Sequence, residues 1–325
     1  MTQHKILLLA LAMGSVACDT VVDVDIPEEP ARLVANSFLM ADSAVVLQLT
    51  QSQSILSNAS LQPVSGATAI LLEDGQEVTT LEETNEPGIY RSGFIPTVGR
   101  DYTLRVSKTG YEPVEATTSV RPAVAIERIE VDTLVFVSTY PSGDSLITER
   151  NVTIDQARLT FSDPASERNY YEVIANRYQT YWEDVFDAQG EYVRTDTVRA
   201  LTPIFLRSDD PALSGTSDEF TGGEDAAVYG EVLSFNDDFF NGKTYTFQFV
   251  PDYYSYYQSE ENKDEIYVML RSVDEGQYRY FRSVNLQYEN DGNPFAEPVQ
   301  VYSNVENGFG IVSGSSASQV TVSLE

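Results

Sequence analysis

The sequence carries one histidine, His4, and one cysteine, Cys18, and both fall within its first eighteen residues. Once that segment is removed or modified, the rest has no Ser-His-Asp triad, no Cys-His pair, no histidine-ligated zinc and no imidazole switch near neutral pH. The chemistry left is that of carboxylates, arginines, a few lysines and tyrosines. Two loop-like acid pairs, Asp209-Asp210 before Pro211 and Asp237-Asp238 after Asn236, could hold a structural Ca²⁺ through oxygen ligands, although neither has EF-hand spacing. Turn formation and solubility account for the same residues. A glycosidase would need two carboxyls about 5 to 9.5 Å apart across a cleft, and the sequence singles out no such pair.

Aromatic residues offer a different kind of chemistry. Tyr253, Tyr254, Tyr256 and Tyr257 follow Asp252 with one serine between them, and Trp182 stands beside Tyr178 and Tyr181. Rings with a polar tip can stack on sugars or grip a peptide, so Trp182 and these four tyrosines form the candidate ligand site. Alternation along a strand sends neighbouring tyrosines to opposite sides, which assigns some of them to packing instead.

The first seventeen residues read as an export signal. Lys5 closes a short polar start, Ile6 to Met13 is apolar, and Gly14 to Ala17 are small or short side chains. The apolar run is well short of the roughly 20 residues that span a bilayer as a helix. Ser15-Val16-Ala17-Cys18 resembles the lipobox of bacterial lipoproteins, with Ser15 where leucine is usual. That resemblance implies cleavage before Cys18 and acylation of it, several acyl chains giving a stable hold at about 0.8 kcal/mol per buried CH₂. The alternative is an ordinary secretory signal with a free thiol. Residues 18 to 32 then form an acidic tether, with Pro27 and Pro30 favouring an extended chain.

Composition narrows the partners. Fifty acidic and twenty basic residues give a net charge of −30, and cleavage before Cys18 would make it 19 − 50 = −31. Such a field repels nucleic-acid phosphates. With 42% hydrophobic residues the chain folds, and its 325 residues suit two domains.

The elements that must position these residues are mainly strands. Leu33 to Leu39, Ala44 to Leu49, Ala67 to Leu72 and Tyr102 to Val106 are β-rich runs between turn residues, with Asp74-Gly75 as a hairpin turn. The pattern predicts an immunoglobulin- or transthyretin-like β-sandwich over 33–122. A larger antiparallel domain, a second sandwich or a barrel-like sheet, is expected over 123–325. In it Val152 to Phe161 alternates with one slip at Gln156, and Thr244 to Phe249 puts Tyr245, Phe247 and Phe249 on one face. A single helix is expected over 274–288, with Ser272 and Glu275 as its capping box, covering the outer face of the strand from Glu265 to Leu270. Asn307-Gly308-Phe309-Gly310 reads as a tight turn that returns a strand to the core.

The turn glycines and tyrosines of the first domain (Gly66, Gly88, Tyr90, Tyr102, Gly110, Tyr111) resemble those of carboxypeptidase-regulatory, transthyretin-like modules, where tyrosines plug the sandwich. On a larger scale, the Val-Asp-Val-Asp-Ile-Pro segment 22–27, Leu33 to Phe38, Ser52 to Leu56, Asn169-Tyr170-Tyr171, Asn241-Gly242-Lys243, Asn293 to Pro298 and Tyr302 to Gly310 resemble domain-of-unknown-function family 4249. That is a Bacteroidota group of outer-membrane lipoproteins whose genes often lie beside TonB-dependent receptors. The resemblance implies a lipid-anchored outer-membrane protein, on the cell-surface or the periplasmic face, that binds a small-molecule, glycan or peptide ligand or a receptor and performs no covalent chemistry. A carboxylate-dependent surface glycan hydrolase and a structural or adhesive surface module are the alternatives. The family supplies no catalytic residue.

Overall fold

The computed structural model describes residues 30–54, 60–142, 145–165, 167–187, 189–214, 228–252, 264–290 and 299–324. Cys18, residues 19–29 of the acidic stretch, and Tyr253, Tyr254, Tyr256 and Tyr257 lie outside the described residues.

Eight strands come first: β1 (Leu33–Met40), β2 (Val46–Gln51), β3 (Gln62–Pro63), β4 (Thr68–Glu73), β5 (Gln76–Glu83), β6 (Ile89–Arg91), β7 (Asp101–Ser107) and β8 (Val114–Ser119). Their alternation is the cause of their pairing: Leu33, Ala35 and Leu39 on β1 and Tyr102, Leu104 and Val106 on β7 all point into one core. Asp74 and Gly75 sit at φ 48° and 80°, as the hairpin turn requires. β5 pairs with β4 over Gln76 to Leu81 and with β6 at Glu82 and Glu83, which carries the sheet around a corner. Tyr90 and Tyr102 are fully buried plugs whose hydroxyls bond loop backbone at Val64, Ala67 and Thr97.

Next come β9 (Ile126–Ser142), β10 (Ser145–Ser162), β11 (Tyr170–Phe186), β12 (Tyr192–Ile204), β13 (Leu206–Ser208), the one-turn helix α1 (Pro211–Ser214), β14 (Val228–Gly230), β15 (Val232–Asn236) and β16 (Thr244–Pro251). β17 (Asp264–Val273), α2 (Glu275–Asn290) and β18 (Phe309–Leu324) complete the described chain. Among the described residues there are two open sheets and no closed barrel. The larger runs β12-β11-β17-β18-β1-β2-β6-β5-β4-β7-β8, with β15 beside β11 and β3 beside β2, and the smaller runs β14-β13-β16-β10-β9. The second core fills the space between them. Leu159, Phe161, Phe247 and Phe249 from the smaller sheet meet Tyr171, Val173, Phe235 and Leu270 from the larger, each contributing roughly 1.5–3 kcal/mol by burial. The two sheets thus pack as a sandwich around this core, and the slip at Gln156 is a β-bulge between Ile154 and Gln156.

β18 joins the two cores. Its first half pairs in parallel with β1, Val34 opposite Phe309 through Met40 opposite Ser315, and its second half pairs antiparallel with β17 out to Leu324 opposite Asp264. Val312 packs in the first core and Val320 and Val322 against the second. Gly310 lies at φ 110° opposite Ala35, where a β-carbon would come within 2.2 Å of the Ala35 carbonyl oxygen. The glycine in this tail is therefore needed at the junction itself.

α2 begins where it was expected, but on a different cap. Ser272 is a buried strand residue whose Oγ accepts the Val124 amide at 3.3 Å. Asp274 caps the helix instead, its Oδ1 accepting the Gln277 amide at 2.8 Å. The pattern Asp274-x-x-Gln277 satisfies the same spacing two residues on, and only it falls after the strand has ended. α1 is a one-turn helix that the sequence reading did not anticipate.

Candidate functional site

The long strands set the site. β17 pairs with β11 only from Tyr170 to Arg177, and β15 only from Tyr170 to Ile174. Beyond Arg177 the only pairing of β11 among the described residues is with β12, through Phe186 opposite Tyr192. At about 3.3 Å per residue the last nine residues of β11 project roughly 30 Å as a two-stranded ribbon. Strands average 5–6 residues, and the 17 residues of β11 run on past the end of its pairing with β17 and β15.

One face of this ribbon is aromatic. Tyr178, Trp182 and Phe186 are spaced by four, so they share a face about 13 Å apart along the strand. Across from them in register are Leu201, Thr197 and Tyr192. Trp182 is 76% exposed, and Tyr178, Phe186, Tyr192 and Leu201 are all exposed as well. Tyr178 and Phe186 are each held by a neighbouring side chain. Arg199 lies over Tyr178 at 4.4 Å, Tyr178 meets Tyr267 of β17 edge-on at 5.4 Å, and Phe186 meets Tyr192 at 6.2 Å. Glu265 accepts the Tyr267 hydroxyl at 2.8 Å, and that bond holds the phenol above its usual range. Toward the tip, the Thr195 hydroxyl bonds Asp184 at 2.5 Å and Tyr192 at 2.9 Å. Among the described residues β12 is also the outer strand of the larger sheet, so its outer edge runs beside the rings.

A second ribbon is built the same way. β16 pairs β10 only from Ala157 to Ser162, and the rest of β10 pairs β9 alone. It exposes Leu134, Val135, Val137 and Leu146.

The four candidate metal residues are divided between two local locks. Asp210 is buried, and its carboxylate takes the Ala212 amide at 2.9 Å, the Tyr245 hydroxyl at 2.5 Å and the Gln248 amide at 2.9 Å. It caps α1 and ties it to β16, and burial pushes the Tyr245 phenol well up. Asp209 is exposed beside it. Asp237 is fully buried, with Oδ2 accepting the Asn169 amide at 2.9 Å and its side chain at 3.2 Å, while Oδ1 has no partner. Burial raises its pKa, and the nearby Asp163 adds to the rise. Asp238 is exposed and paired with Arg168 at 2.5 Å. Among the described residues no group of three or more His, Cys, Asp or Glu is arranged to hold a metal ion.

Of the ligand-site candidates, Trp182 therefore stands at the centre of an exposed aromatic row. The tyrosine segment lies outside the described residues. Arg199, Tyr267, Phe186 and Tyr192 were not singled out in the sequence. The four-residue spacing of Tyr178, Trp182 and Phe186 was a readable signal, whereas Arg199 and Tyr267 join them only through strand register.

The fold and the site together define a mainly β protein of two sandwich cores, joined through one continuous sheet and bearing a projecting aromatic ribbon. The chain belongs to the family described as a domain of unknown function, DUF4249, whose model matches residues 19–321. No curated protein and no solved structure matches it.

Proposed function

We propose that this chain is a non-catalytic binding protein of the bacterial outer membrane, anchored by lipid on Cys18, that engages a TonB-dependent receptor in nutrient uptake. The first sandwich is its accessory, transthyretin-like module. The observation that carries the reading is the row Tyr178, Trp182 and Phe186, exposed on a ribbon whose second strand, β12, is the outermost of its sheet among the described residues. Trp, Tyr and Arg dominate the energetics of protein interfaces, and an open strand edge adds backbone hydrogen bonds to a partner protein. A glycan ligand would use the same rings but not the edge. The absence of histidine after residue 4 and the engagement of Asp210, Asp237 and Asp238 in local bonds favour binding over hydrolysis.

The test is co-purification from detergent-solubilised membranes with the tagged full chain, the captured protein being identified by mass spectrometry. A TonB-dependent receptor is expected with the native chain and lost with Trp182→Ala plus Phe186→Ala, whose thermal unfolding stays unchanged. Retention of the receptor by that variant refutes the ribbon's role. Release of reducing sugar from a glycan panel, abolished by one Asp or Glu substitution, would instead establish the hydrolase. Cys18→Ala should free the protein from membranes, and its continued retention there would dispose of the acyl anchor.

A further inference from the structure

We infer that the groove between α2 and the segment leading into β18 is a binding site for a small organic carboxylate with an apolar body, separate from the aromatic ribbon. The groove is open, has a volume of about 1160 Å³, and is walled by Tyr278, Leu286, Tyr302 and Phe309. Its charged lining consists of Arg279 and Arg282, with no acid among the described residues that line it. In a chain with fifty acidic and twenty basic residues that is a sharp local reversal of sign.

The two guanidiniums are pre-positioned. Arg282 Nη1 donates to the Tyr278 hydroxyl at 3.1 Å, while its Nη2 is buried and has no partner. An unsatisfied cationic donor is costly, and turning it toward an anion bound in the groove removes that penalty. The Arg279 guanidinium lies over the Tyr302 ring at 4.3 Å, and Glu275 is 3.9 Å from it on the exposed helix surface. Tyr302 is itself tied to the helix, its amide donating to Ser283 Oγ at 2.8 Å. Two guanidiniums lining one groove, one of them with an unengaged nitrogen, supply donors of the kind a carboxylate takes. The remaining wall, Leu286 and the exposed ring of Phe309, offers apolar surface for the body of the ligand. Phosphate would leave that apolar wall unused.

The probes are 3-phenylpropionate, its neutral amide and inorganic phosphate, titrated calorimetrically into the full chain in detergent. The carboxylate should bind, with the amide and phosphate each weaker by about tenfold or more, since a charge-assisted pair is worth roughly one order of magnitude over a neutral contact. Arg282→Met should lose the carboxylate by a similar factor. Arg279→Gln, at an exposed position, should weaken it with thermal unfolding unchanged, so the inference does not depend on Arg282→Met folding. Trp182→Ala should leave it intact, which separates this site from the receptor reading. Equal binding of amide and carboxylate, preference for phosphate, no binding of any probe at millimolar concentration, or indifference to Arg279→Gln would each overturn the inference.

Discussion

The fully buried carboxylate of Glu172 on β11 meets the guanidinium of Arg271, directly opposite it on β17, at 2.9 Å. Gln277 of α2 donates to both Glu172 oxygens at 3.0 and 2.9 Å and accepts the Ser313 hydroxyl at 2.9 Å. The helix is therefore fastened to the sheet by polar bonds beneath it as well as by its apolar residues. Burial pushes the Glu172 carboxyl up, and Arg271 opposes that push.

Removing one partner of such a pair should do more harm than removing both. Arg271→Leu leaves a buried carboxylate without its countercharge and should destabilise by about 3–5 kcal/mol in urea unfolding. Glu172→Met with Arg271→Leu should recover a large part of that loss. Equal destabilisation by the single and double variants would mean that Arg271 acts through packing alone.

Gly310 is the point where the two cores are sewn together. Gly310→Ala must hold a side chain at φ 110° and push its β-carbon against the Ala35 carbonyl in the parallel ladder. Strain of this kind is worth about 1–3 kcal/mol for the backbone alone, and the clash adds to it. The variant should unfold at much lower temperature or fail to accumulate. Gly75→Ala, whose β-carbon meets nothing within 4 Å, carries the positive φ without the clash and should be milder.

Local grammar was largely readable in the sequence and long-range pairing was not. The Asp74-Gly75 turn, the alternation of Thr244 to Phe249 and the bulge at Gln156 depend on residues within a few positions of one another, and each stands where the pattern put it. The parallel pairing of β1 with β18 brings Asn36 Oδ1 to the Ile311 amide, 275 residues away, and no periodicity encodes that. The same distance problem hid the role of the acids. Asp210 and Asp237 looked like solvated loop residues because Tyr245, Gln248 and Asn169, which bind them, are remote in sequence. The four-residue spacing of Tyr178, Trp182 and Phe186 lies within one strand, so their shared face follows from local alternation.

Tyr90 tests the plug role of the first sandwich. Its hydroxyl donates to Val64 O and accepts from Ala67 N, both at 2.9 Å, and the side chain is 1% exposed. Tyr90→Phe keeps the ring but strands a buried carbonyl and amide. A loss of about 1–3 kcal/mol is expected from chemical denaturation. No loss would show that water reaches those backbone groups.

The pH dependence of stability follows from three buried carboxyls. Burial raises the pKa of Glu172, Asp237 and Asp274 in the folded chain. A carboxyl raised on folding binds its proton more tightly in the folded than in the unfolded state. Its contribution to stability is therefore full below the unfolded pKa and disappears as pH rises through the folded one. The melting temperature should accordingly increase as pH falls from roughly 7.5 toward about 5, the reverse of a protein held by depressed carboxylates. Relief of repulsion in a chain of net charge −30 has the same sign, but added salt screens it, whereas burial is not screened. Asp237 separates the two effects, because its Oδ1 is buried without a partner. Asp237→Asn keeps an oxygen for the Asn169 amide and removes the titration, so in high salt its melting temperature should climb less on acidification than that of the native chain. Identical slopes for the two proteins in high salt would show that Asp237 stays ionised when buried.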